Sequence, residues 1–276
     1  MTTTYPTVKF LYFTLMSLFV LYIYGTVYNN VNRINECIES LSKIDTEKQF
    51  LIIDNLSEDG TFEKLLNLKI DLKLKQIKCS RGKGRQLAME IAKEYSTDED
   101  LFMYFDGDTI YSKYFINIIN QKIKVIKKNE VFLNHMCYKN VNFKIEWKDL
   151  NNWEDLERNV HFLSEGFLIP RLNDVEFEKL YDNEVLKYNR EKRYSHGFKY
   201  FQRRLKNQID VFIAMGAKFT TDYFFYIKYV SSSNIAKPID FLLFLYVKIY
   251  KKYIRYYKIK NNLEFWLQIK SISLQQ

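Results

Sequence analysis

The sequence contains little proline, glycine, cysteine or histidine: its 276 residues include 3 Pro, 8 Gly, 3 Cys and 3 His. So few glycines and prolines exclude collagen-like chains and Pro/Gly-rich disordered chains, because both classes need these residues in abundance. Cys37, Cys79 and Cys137 are isolated and lack Cys-x-x-Cys spacing, so the sequence indicates neither a disulfide framework nor a zinc site. We therefore expect a reducing, cytoplasmic compartment.

The rest of the composition is that of a folded, basic protein. Hydrophobic residues make up 47% and charged residues 27%, and a chain this long can bury a substantial core. Lys and Arg outnumber Asp and Glu by 42 to 33, a net charge of +9. This balance favours polyanionic partners such as phosphates, nucleic acid or acidic membranes, and its sign does not choose among them.

An apolar run extends from residue 8 to residue 28, about the length of a transmembrane helix. Its second half, VLYIYGTVY, is rich in β-branched and aromatic residues and contains Gly25, which favours a buried strand. A helical pattern begins directly after it, at Val31 and Ile34. We therefore predict a strand over 18–27, with a membrane segment as the alternative.

Strands and helices are predicted to alternate along the first half of the chain. The predicted strands cover 18–27, 49–54, 72–78, 100–105 and 131–138, and the predicted helices cover 31–43, 59–68, 83–95 and 112–128. Such alternation predicts an α/β fold, with a mostly parallel central sheet and helices on both faces. Ligands of such sheets bind in the crevice at the carboxyl ends of the strands.

The pattern changes after residue 140. VNFKIEW is strand-like, NNWEDLERNVHFL is helical, FLIPRL is a short strand, and a long helical pattern follows from residue 197. We interpret residues 141–235 as an acceptor-side region, with residues 1–17 as an N-terminal extension. SSSNIAKP is the only stretch with the composition of a linker, and it leads into a basic, aromatic helix over 236–276.

The predicted strand ending at residue 105 is followed by Asp106, Gly107 and Asp108. Two carboxylates that flank a glycine can hold a hard divalent cation, which then bridges phosphate oxygens. A turn is the alternative explanation. A second pair, Asp98 and Asp100, precedes the same strand at its amino end, so we interpret that pair as a solvated turn.

Another acid, Asp54, ends the predicted strand FLIID. In the following DNLSEDGT, Ser57 or Asp59 can cap the next helix. A carboxylate at a strand end in the crevice can accept hydrogen bonds from a nucleobase or a ribose.

The segment RGKGR opens a helix after the third strand and places Arg81, Lys83 and Arg85 beside backbone amides expected to be free. Amides and basic side chains at a helix start predict a cradle for a diphosphate.

The same segment allows a rival function, a dinucleotide-binding oxidoreductase. Gly82 and Gly84 form a G-x-G, and Asp106 follows about 20 residues later, as in dinucleotide-binding folds. Against this interpretation, Leu87 stands at the third glycine position, and the loop follows the third strand rather than the first.

Two acids stand at the start of NNWEDLERNV. Asn151 and Glu154 have the spacing of a capping box, which accounts for Glu154. Asp155 has no such role, so it is either a surface acid or a base that faces the crevice.

The three histidines differ in their predicted surroundings. His135 lies inside an apolar segment and His161 on a helix, and both are interpreted as structural. His196 lies in the loop RYSHG, where it is a candidate ligand of a metal or phosphate.

Taken in order, VYNNVNRINECIESL, FLIIDNLSEDGT, SRGKGRQLAME, LFMYFDGD and NWEDLE resemble family 2 glycosyltransferases of the GT-A fold. The resemblance covers residues 18 to 160, so region 18–140 would be the nucleotide-sugar-binding half. It implies an inverting, hexosyltransferase-like enzyme that uses Mn²⁺ or Mg²⁺ and a UDP- or GDP-sugar. The acceptor would be a glycan or a lipid-linked or protein-linked hydroxyl. The family's usual proline at the first strand end is replaced by Gly25.

The resemblance also implies roles for single residues. Asp54 would read the base, Arg85 would approach the diphosphate, and Asp155 would be the catalytic base. The metal would be held by Asp106 and Asp108, with His196 as a weaker candidate. The implied nucleotide-sugar site comprises Thr26, Tyr28, Asn29, Asp54, Asn55, Ser57, Asp59, Gly82, Arg85, Asp106 and Gly107.

A different class, a noncatalytic nucleic-acid-binding protein, is suggested by the basic balance and the many aromatic residues. Carboxylates at several strand ends would repel phosphates without a metal, so we expect no nucleic-acid partner.

The segment after Pro238 combines an apolar stretch, IDFLLFLYV, with a basic one, YKKYIRYYKIK. Helical spacing gathers the basic residues of the second stretch into one stripe beside aromatic side chains. We predict that residues 238–276 bind an anionic membrane surface, so that the protein is peripheral on the cytoplasmic membrane face. The alternative is an ordinary helix packed on the catalytic domain.

Overall fold

A computed structural model describes residues 19–151, 154–170, 179, 180 and 242. Five strands form one sheet in the order β3-β2-β1-β4-β5. The strands are β1 Leu21–Val27, β2 Lys48–Asp54, β3 Leu72–Gln76, β4 Leu101–Asp106 and β5 Cys137–Tyr138. The first four are parallel, and β5 pairs antiparallel with β4. The predicted α/β fold with a mostly parallel sheet is confirmed.

Helices connect the strands. They are α1 Ile34–Ser42, α2 Thr61–Leu66, α3 Arg81–Glu90, α4 Lys113–Ile123, α5 Lys139–Asn142 and α6 Glu154–Ser164. Serine side chains begin two of them: Ser80 Oγ accepts the N–H of Lys83, and Ser112 Oγ accepts the N–H of Phe115, each at 3.1 Å. These bonds satisfy amides that would otherwise lack an intrahelical partner.

The helices cover both faces of the sheet, as the alternating pattern predicts. On one face, α1 and α4 bury apolar side chains such as Ile38 and Phe115 against the sheet residue Phe105. On the other face, Ala88 and Met89 of α3 pack with Tyr24 and Phe102, among others. Strands β1, β2 and β4 are therefore largely buried, which accounts for their nearly continuous apolar runs, whereas the edge strand β3 is mostly exposed and its sequence LKLKQ alternates.

The strand order creates a switch point between β1 and β4. The chain leaves β1 for β2 and β3 on one side and then returns to β4 on the other side. The connections on either side of this point turn away from each other, which opens a crevice beyond the carboxyl ends of β1 and β4. Val27 and Asp106 are the last residues of these two strands.

Two strand predictions are wrong. Residues 131–138 contain a tight turn in which Asn134 and His135 have φ of 51°, and the N–H of Phe132 donates to the carbonyl of Met136. Only Cys137 and Tyr138 join the sheet. VNFKIEW begins in α5 and continues as a turn. Its aromatic residues Phe143 and Trp147 pack on the face of the sheet, against Phe102 and Tyr104 of β4, instead of forming a strand within it.

The Asp98–Asp100 turn also differs from expectation at its second acid. Asp100 is buried, and its carboxylate accepts the N–H groups of Val20 and Thr97. It therefore ties the start of β4 to the residue before β1.

Several predictions lie outside the described residues. Among them are the N-terminal extension 1–17, His196 and, apart from Leu242, the C-terminal segment 238–276. In the described part of the chain, no helix combines the length and apolar character needed to cross a membrane. The second half of the early apolar run is the central strand β1.

Candidate active site

Strand register brings the predicted site residues to one edge of the sheet. Thr26 pairs with Asp106 across β1 and β4, and Asp54 lies beside Val27 and Gln76 across β2. Asp54 and Asp106 are 52 positions apart in sequence, yet both lie at the edge of the sheet that borders the crevice. The strand-end rule places them correctly because parallel strands present their carboxyl ends together.

Two crevice loops are tied to each other by hydrogen bonds. Asn29, with a left-handed φ of 50°, donates its N–H to Ser57 Oγ at 2.9 Å and accepts the N–H of Glu58 at 3.0 Å. Asp59 accepts the N–H of Val31 and that of Thr61, both at 3.0 Å. Asn29, Ser57 and Asp59 thus hold the loops after β1 and β2 in a fixed relation.

Other predicted residues extend this arrangement. Tyr28 is exposed at the crevice loop. Asn55 accepts the N–H of Cys79, and the Thr26 hydroxyl donates to the carbonyl of Arg81. A side chain at Gly107 would approach Val27 Cγ1 to 2.8 Å, so glycine lets the turn after β4 lie against β1.

Asp54 is fully buried at the end of β2. Its Oδ1 accepts the N–H of Ser57 at 2.8 Å and the side-chain amide of Gln76 at 2.9 Å. Its Oδ2 has no hydrogen-bond partner among the described residues. Leaving a buried acceptor unpaired costs free energy, so a donor group of a ligand that reached this oxygen would gain a hydrogen bond there.

The expectation of free amides at the start of α3 is wrong. The N–H of Arg81 donates to Asn151 Oδ1, that of Gly82 to the carbonyl of Leu150, and that of Gly84 to the carbonyl of Ser80. Ser80 Oγ accepts the N–H of Lys83. Segment 148–151 therefore covers this helix start, and the amides cannot cradle a diphosphate or the phosphates of a dinucleotide.

Glycines permit this coverage. A Cβ at Gly82 would lie 2.0 Å from the carbonyl oxygen of Lys148, and one at Gly84 would lie 2.3 Å from Thr26 Oγ1. The two glycines thus serve close packing of α3 against segment 148–151 and β1. This accounts for the G-x-G spacing without a dinucleotide.

Arg85 is buried rather than displayed at the crevice surface. Its side chain is 1% exposed, and its guanidinium lies 4.2 Å from the ring centre of Tyr104 and 4.7 Å from that of Trp147. Nη2 donates to Asp106 Oδ1 at 2.5 Å, and Nη1 donates to Glu154 Oε1 at 2.9 Å. Burial alone would lower the pKa of Arg85, but Asp106 and Glu154 outweigh it and raise that pKa.

The capping-box prediction for Glu154 is also wrong. Its buried carboxylate pairs with Arg85 and, at 3.6 Å, with Arg81, while Asn151 accepts the N–H of Arg81. Glu154 is the first residue of α6, and Asp155 is the second. Asp155 is half-buried and contributes to the electrostatic environment of Arg85.

Asp106 and Asp108 are the candidate metal ligands. The Asp106 side chain is 33% exposed, and Asp108 is half-buried two residues later. Within the described ranges, no group of three or more His, Cys, Asp or Glu side chains could hold a metal ion by itself. Two carboxylates suit Mg²⁺ or Mn²⁺, which complete their octahedral shell with water and substrate phosphate.

Sequence reasoning missed three residues that shape the site. Gln76 ends β3 beside Asp54, so the strand-end rule applied to that strand would have found it. Tyr111 accepts the N–H of Asp106 at 3.0 Å, and Trp147 packs on Arg85. Trp147 lies in the stretch mispredicted as a strand, and no local signal marks either aromatic residue.

Beyond the first turn of α6 lies a second buried polar group. Arg158 donates to the Tyr24 hydroxyl at 2.8 Å and to the carbonyl of Ile145, which anchors α6 to β1. Two residues after Asp155, Glu157 Oε1 lies 3.1 Å from Nε2 of His161, which is one turn further along α6. Burial raises the pKa of Glu157 to about 8 and lowers the pKa of His161 to about 3.

Solved structures of low sequence identity share part of this shape. A structure of S. aureus TarS is 15% identical, with a TM-score of 0.46, and the match covers 80% of this chain and 47% of that one. The present chain thus spans about half the length of that TarS chain. TarS 1–349 in complex with UDP is 16% identical, with a TM-score of 0.47 and coverage of 89% and 97%.

A third similar structure is the mannosyltransferase PcManGT from Pyrobaculum calidifontis in complex with GDP-Man and Mn²⁺. It is 13% identical, with a TM-score of 0.46 and coverage of 92% of this chain and 73% of that one. No curated protein matches this chain in sequence. The family model described as Glycosyl transferase family 2 matches residues 23–224, well over half of the chain. The predicted family is confirmed: the chain belongs to glycosyl transferase family 2.

Proposed function

We propose that the chain transfers a sugar from a nucleoside-diphosphate sugar to an acceptor hydroxyl, with inversion at the anomeric carbon and with Mn²⁺ or Mg²⁺ as cofactor. The observation that carries this proposal is the grouping of carboxylates around one crevice. Asp54 and Asp106 end β2 and β4, and Asp155 lies in the first turn of α6, whose Glu154 is joined to Asp106 through Arg85.

The nucleoside half of the donor fits beside Asp54. The unpaired Oδ2 of this buried carboxylate is an acceptor for an N–H of the base, such as the imide of uracil or the amino group of guanine. The exposed ring of Tyr28 stands on the neighbouring loop and supplies an apolar surface for the base. We therefore expect a UDP- or GDP-sugar.

The diphosphate half requires positive charge, and the amides of α3 are already engaged. Asp106 and Asp108 would hold the divalent ion, and a bound ion would stabilise the charge that develops on the departing nucleoside diphosphate. Lys83 is exposed at the start of α3 and is a basic side chain available near this edge.

Asp155 would act as the general base. As the acceptor oxygen attacks the anomeric carbon, its proton passes to the carboxylate of Asp155, and the bond from that carbon to the phosphate oxygen breaks. One direct displacement of this kind inverts the anomeric centre, because no covalent glycosyl-enzyme forms. Position two of α6 suits this role because Glu154, at position one, is held by Arg85.

The acceptor side is proposed from the sequence. Residues 238–276 would bind an anionic membrane on its cytoplasmic face and bring the crevice to a lipid-linked acceptor or another glycan. His196 would be a further ligand of the metal or the phosphates.

The direct test is a screen of nucleotide sugars for Mn²⁺-dependent hydrolysis and transfer, followed by NMR of the product. We expect activity with one UDP- or GDP-sugar and inverted configuration. Asp108→Asn should keep the fold and lose metal-dependent binding of the nucleoside diphosphate, since an amide is a much poorer ligand for a hard cation. Retention of configuration, or unchanged metal-dependent affinity in Asp108→Asn, would contradict the proposal.

A further inference from the structure

Arg85 is buried, whereas a side chain that binds the diphosphate has to be exposed at the crevice. Its guanidinium packs against the rings of Tyr104 and Trp147, which contact each other edge to face, and its side chain is 1% exposed. Each of its terminal nitrogens donates to a carboxylate, one on Asp106 and one on Glu154. No accessible surface of this group remains for a phosphate.

We propose that Arg85 is a positioning residue that joins the donor-binding end of β4 to the start of α6. The inference rests on the proposed function, because it concerns the same site. Asp106 belongs to the edge that would hold the metal and the donor, whereas Glu154 immediately precedes Asp155. Arg85 thereby sets the distance between the donor and the base.

The chemistry of arginine suits this task. The guanidinium is planar and presents donors in fixed directions, so that it can hold two carboxylates at a defined separation. Contact with the two aromatic rings restricts its rotation. The ion pair with Glu154 is buried on both sides, whereas the Asp106 carboxylate is 33% exposed at the crevice. A lysine in this place has a single point of attachment and cannot hold both acids in the same geometry.

Position matters because displacement reactions depend steeply on alignment. A base that is misplaced by about 1 Å can cost on the order of 100-fold in rate while ground-state binding is little changed. Loss of the Arg85 link should therefore appear in kcat rather than in donor affinity.

The test compares Arg85→Lys, Glu154→Gln and the double variant with the wild-type chain. Lys93→Gln is the control, since it removes one positive charge from an exposed lysine just beyond α3. Transfer kinetics give kcat and KM for the donor. Calorimetry at saturating Mn²⁺ gives the affinities for UDP or GDP and for the matching nucleoside.

We expect Arg85→Lys and Glu154→Gln each to lower kcat by roughly 10- to 100-fold, with donor KM and nucleoside diphosphate affinity within about threefold of wild type. The double variant should be no slower than the slower single variant, because both changes break one link. Its melting temperature should likewise be no lower than that of the less stable single variant. Lys93→Gln should match wild type.

Two results would overturn the inference. One is a loss of about tenfold or more in UDP or GDP affinity in Arg85→Lys with nucleoside affinity kept, which would make Arg85 a diphosphate ligand. The other is near-normal kcat in Glu154→Gln. This variant replaces one carboxylate oxygen by an amide group, so it tests the inference even if Arg85→Lys does not fold.

Failure of the proposed function gives a different pattern. A wild-type chain that transfers no sugar from any donor would contradict the proposed reaction. The calorimetric comparison and the melting temperatures would still decide whether Arg85 binds the diphosphate or joins the two acids.

Discussion

At the scale of single residues, the unpaired Oδ2 of Asp54 gives the most specific prediction about the ligand. A buried carboxylate that accepts two protein hydrogen bonds on one oxygen and none from the described residues on the other is poised for a donor. Asp54→Asn puts either an amide donor or a neutral acceptor at this place. We expect the nucleoside affinity to fall by roughly 10- to 100-fold, the range for a hydrogen bond to a charged group.

Calorimetry with the nucleoside and with inorganic diphosphate checks this prediction. Diphosphate affinity should be unchanged in Asp54→Asn, because Asp54 is the proposed ligand of the nucleobase and not of the diphosphate. Equal nucleoside affinity in wild type and variant would remove Asp54 from the base site.

Asp155 carries the prediction about catalysis. Asp155→Asn removes the proton acceptor and leaves side-chain volume nearly unchanged. We expect turnover to fall by about 10² to 10⁴, with donor affinity almost unchanged, as for the loss of a general base. Asp98→Asn is the matched control, since Asp98 is an exposed acid at the opposite end of β4. Near-normal turnover in Asp155→Asn would show that Asp155 is not the general base.

At the scale of elements, α6 carries the proposed base, Asp155, at its start and the titratable pair Glu157 and His161 after it. Burial raises the pKa of Glu157 from 4.5 to about 8, against the opposing effects of Lys148 and Arg158. Between these two values the folded chain keeps a proton that the unfolded chain releases. Stability therefore decreases as pH rises through this window, with a slope of at most about 1.4 kcal/mol per pH unit for one proton.

The contribution of His161 to folding stability changes with pH in the opposite direction. Burial lowers the pKa of His161 from 6.5 to about 3, and the charges of Lys148 and Arg158 act in the same direction. The unfolded chain gains a proton below pH 6.5 that the folded chain does not, so this contribution is lost as pH falls. The summed cost of burying the two groups is smallest between pH 4.5 and pH 6.5, where the two pH ranges overlap and the opposite slopes cancel.

Glu157→Gln tests this account of α6. The variant lacks the group whose ionisation opposes folding, so its free energy of unfolding should rise relative to wild type as pH increases from about 5 to 8. Urea unfolding at several pH values measures the difference. Parallel stability profiles for the two chains would show that Glu157 ionises normally in the folded state.

At the scale of the whole molecule, the excess of basic residues gives the prediction about location. The chain carries 42 Lys and Arg against 33 Asp and Glu, and Lys251, Lys252 and Arg255 stand in a segment without acids. Each basic residue near an anionic surface contributes about 1 kcal/mol. Replacing these three with Gln in the full-length chain should weaken binding to anionic liposomes by roughly 100-fold.

Sedimentation with anionic and neutral liposomes measures this effect. High salt should weaken the wild-type interaction as well, because exposed charges are screened. A wild-type chain that ignores both kinds of liposome, or a variant that binds as tightly as wild type, would contradict membrane binding through residues 238–276.

The order of strands and helices along the chain, and the edge of the sheet that carries the candidate site, follow from the sequence by itself. Short apolar runs that end in polar groups predict buried parallel strands, and the acids after two of them, Asp54 and Asp106, must meet at the carboxyl edge. The predicted strands and helices from residue 18 to 128 match β1 to β4 and α1 to α4, with ends that differ by a few residues.

Only the tertiary structure decided what each polar group of the site binds. Arg85 and Glu154 are 69 positions apart, and the amide of Gly82 is covered by a carbonyl 68 positions later. Their partners depend on how α3, α6 and segment 148–151 pack together, and no local pattern encodes that packing. A helix start with basic residues predicts an anion site wherever it stays open to solvent, and here another part of the chain closes it.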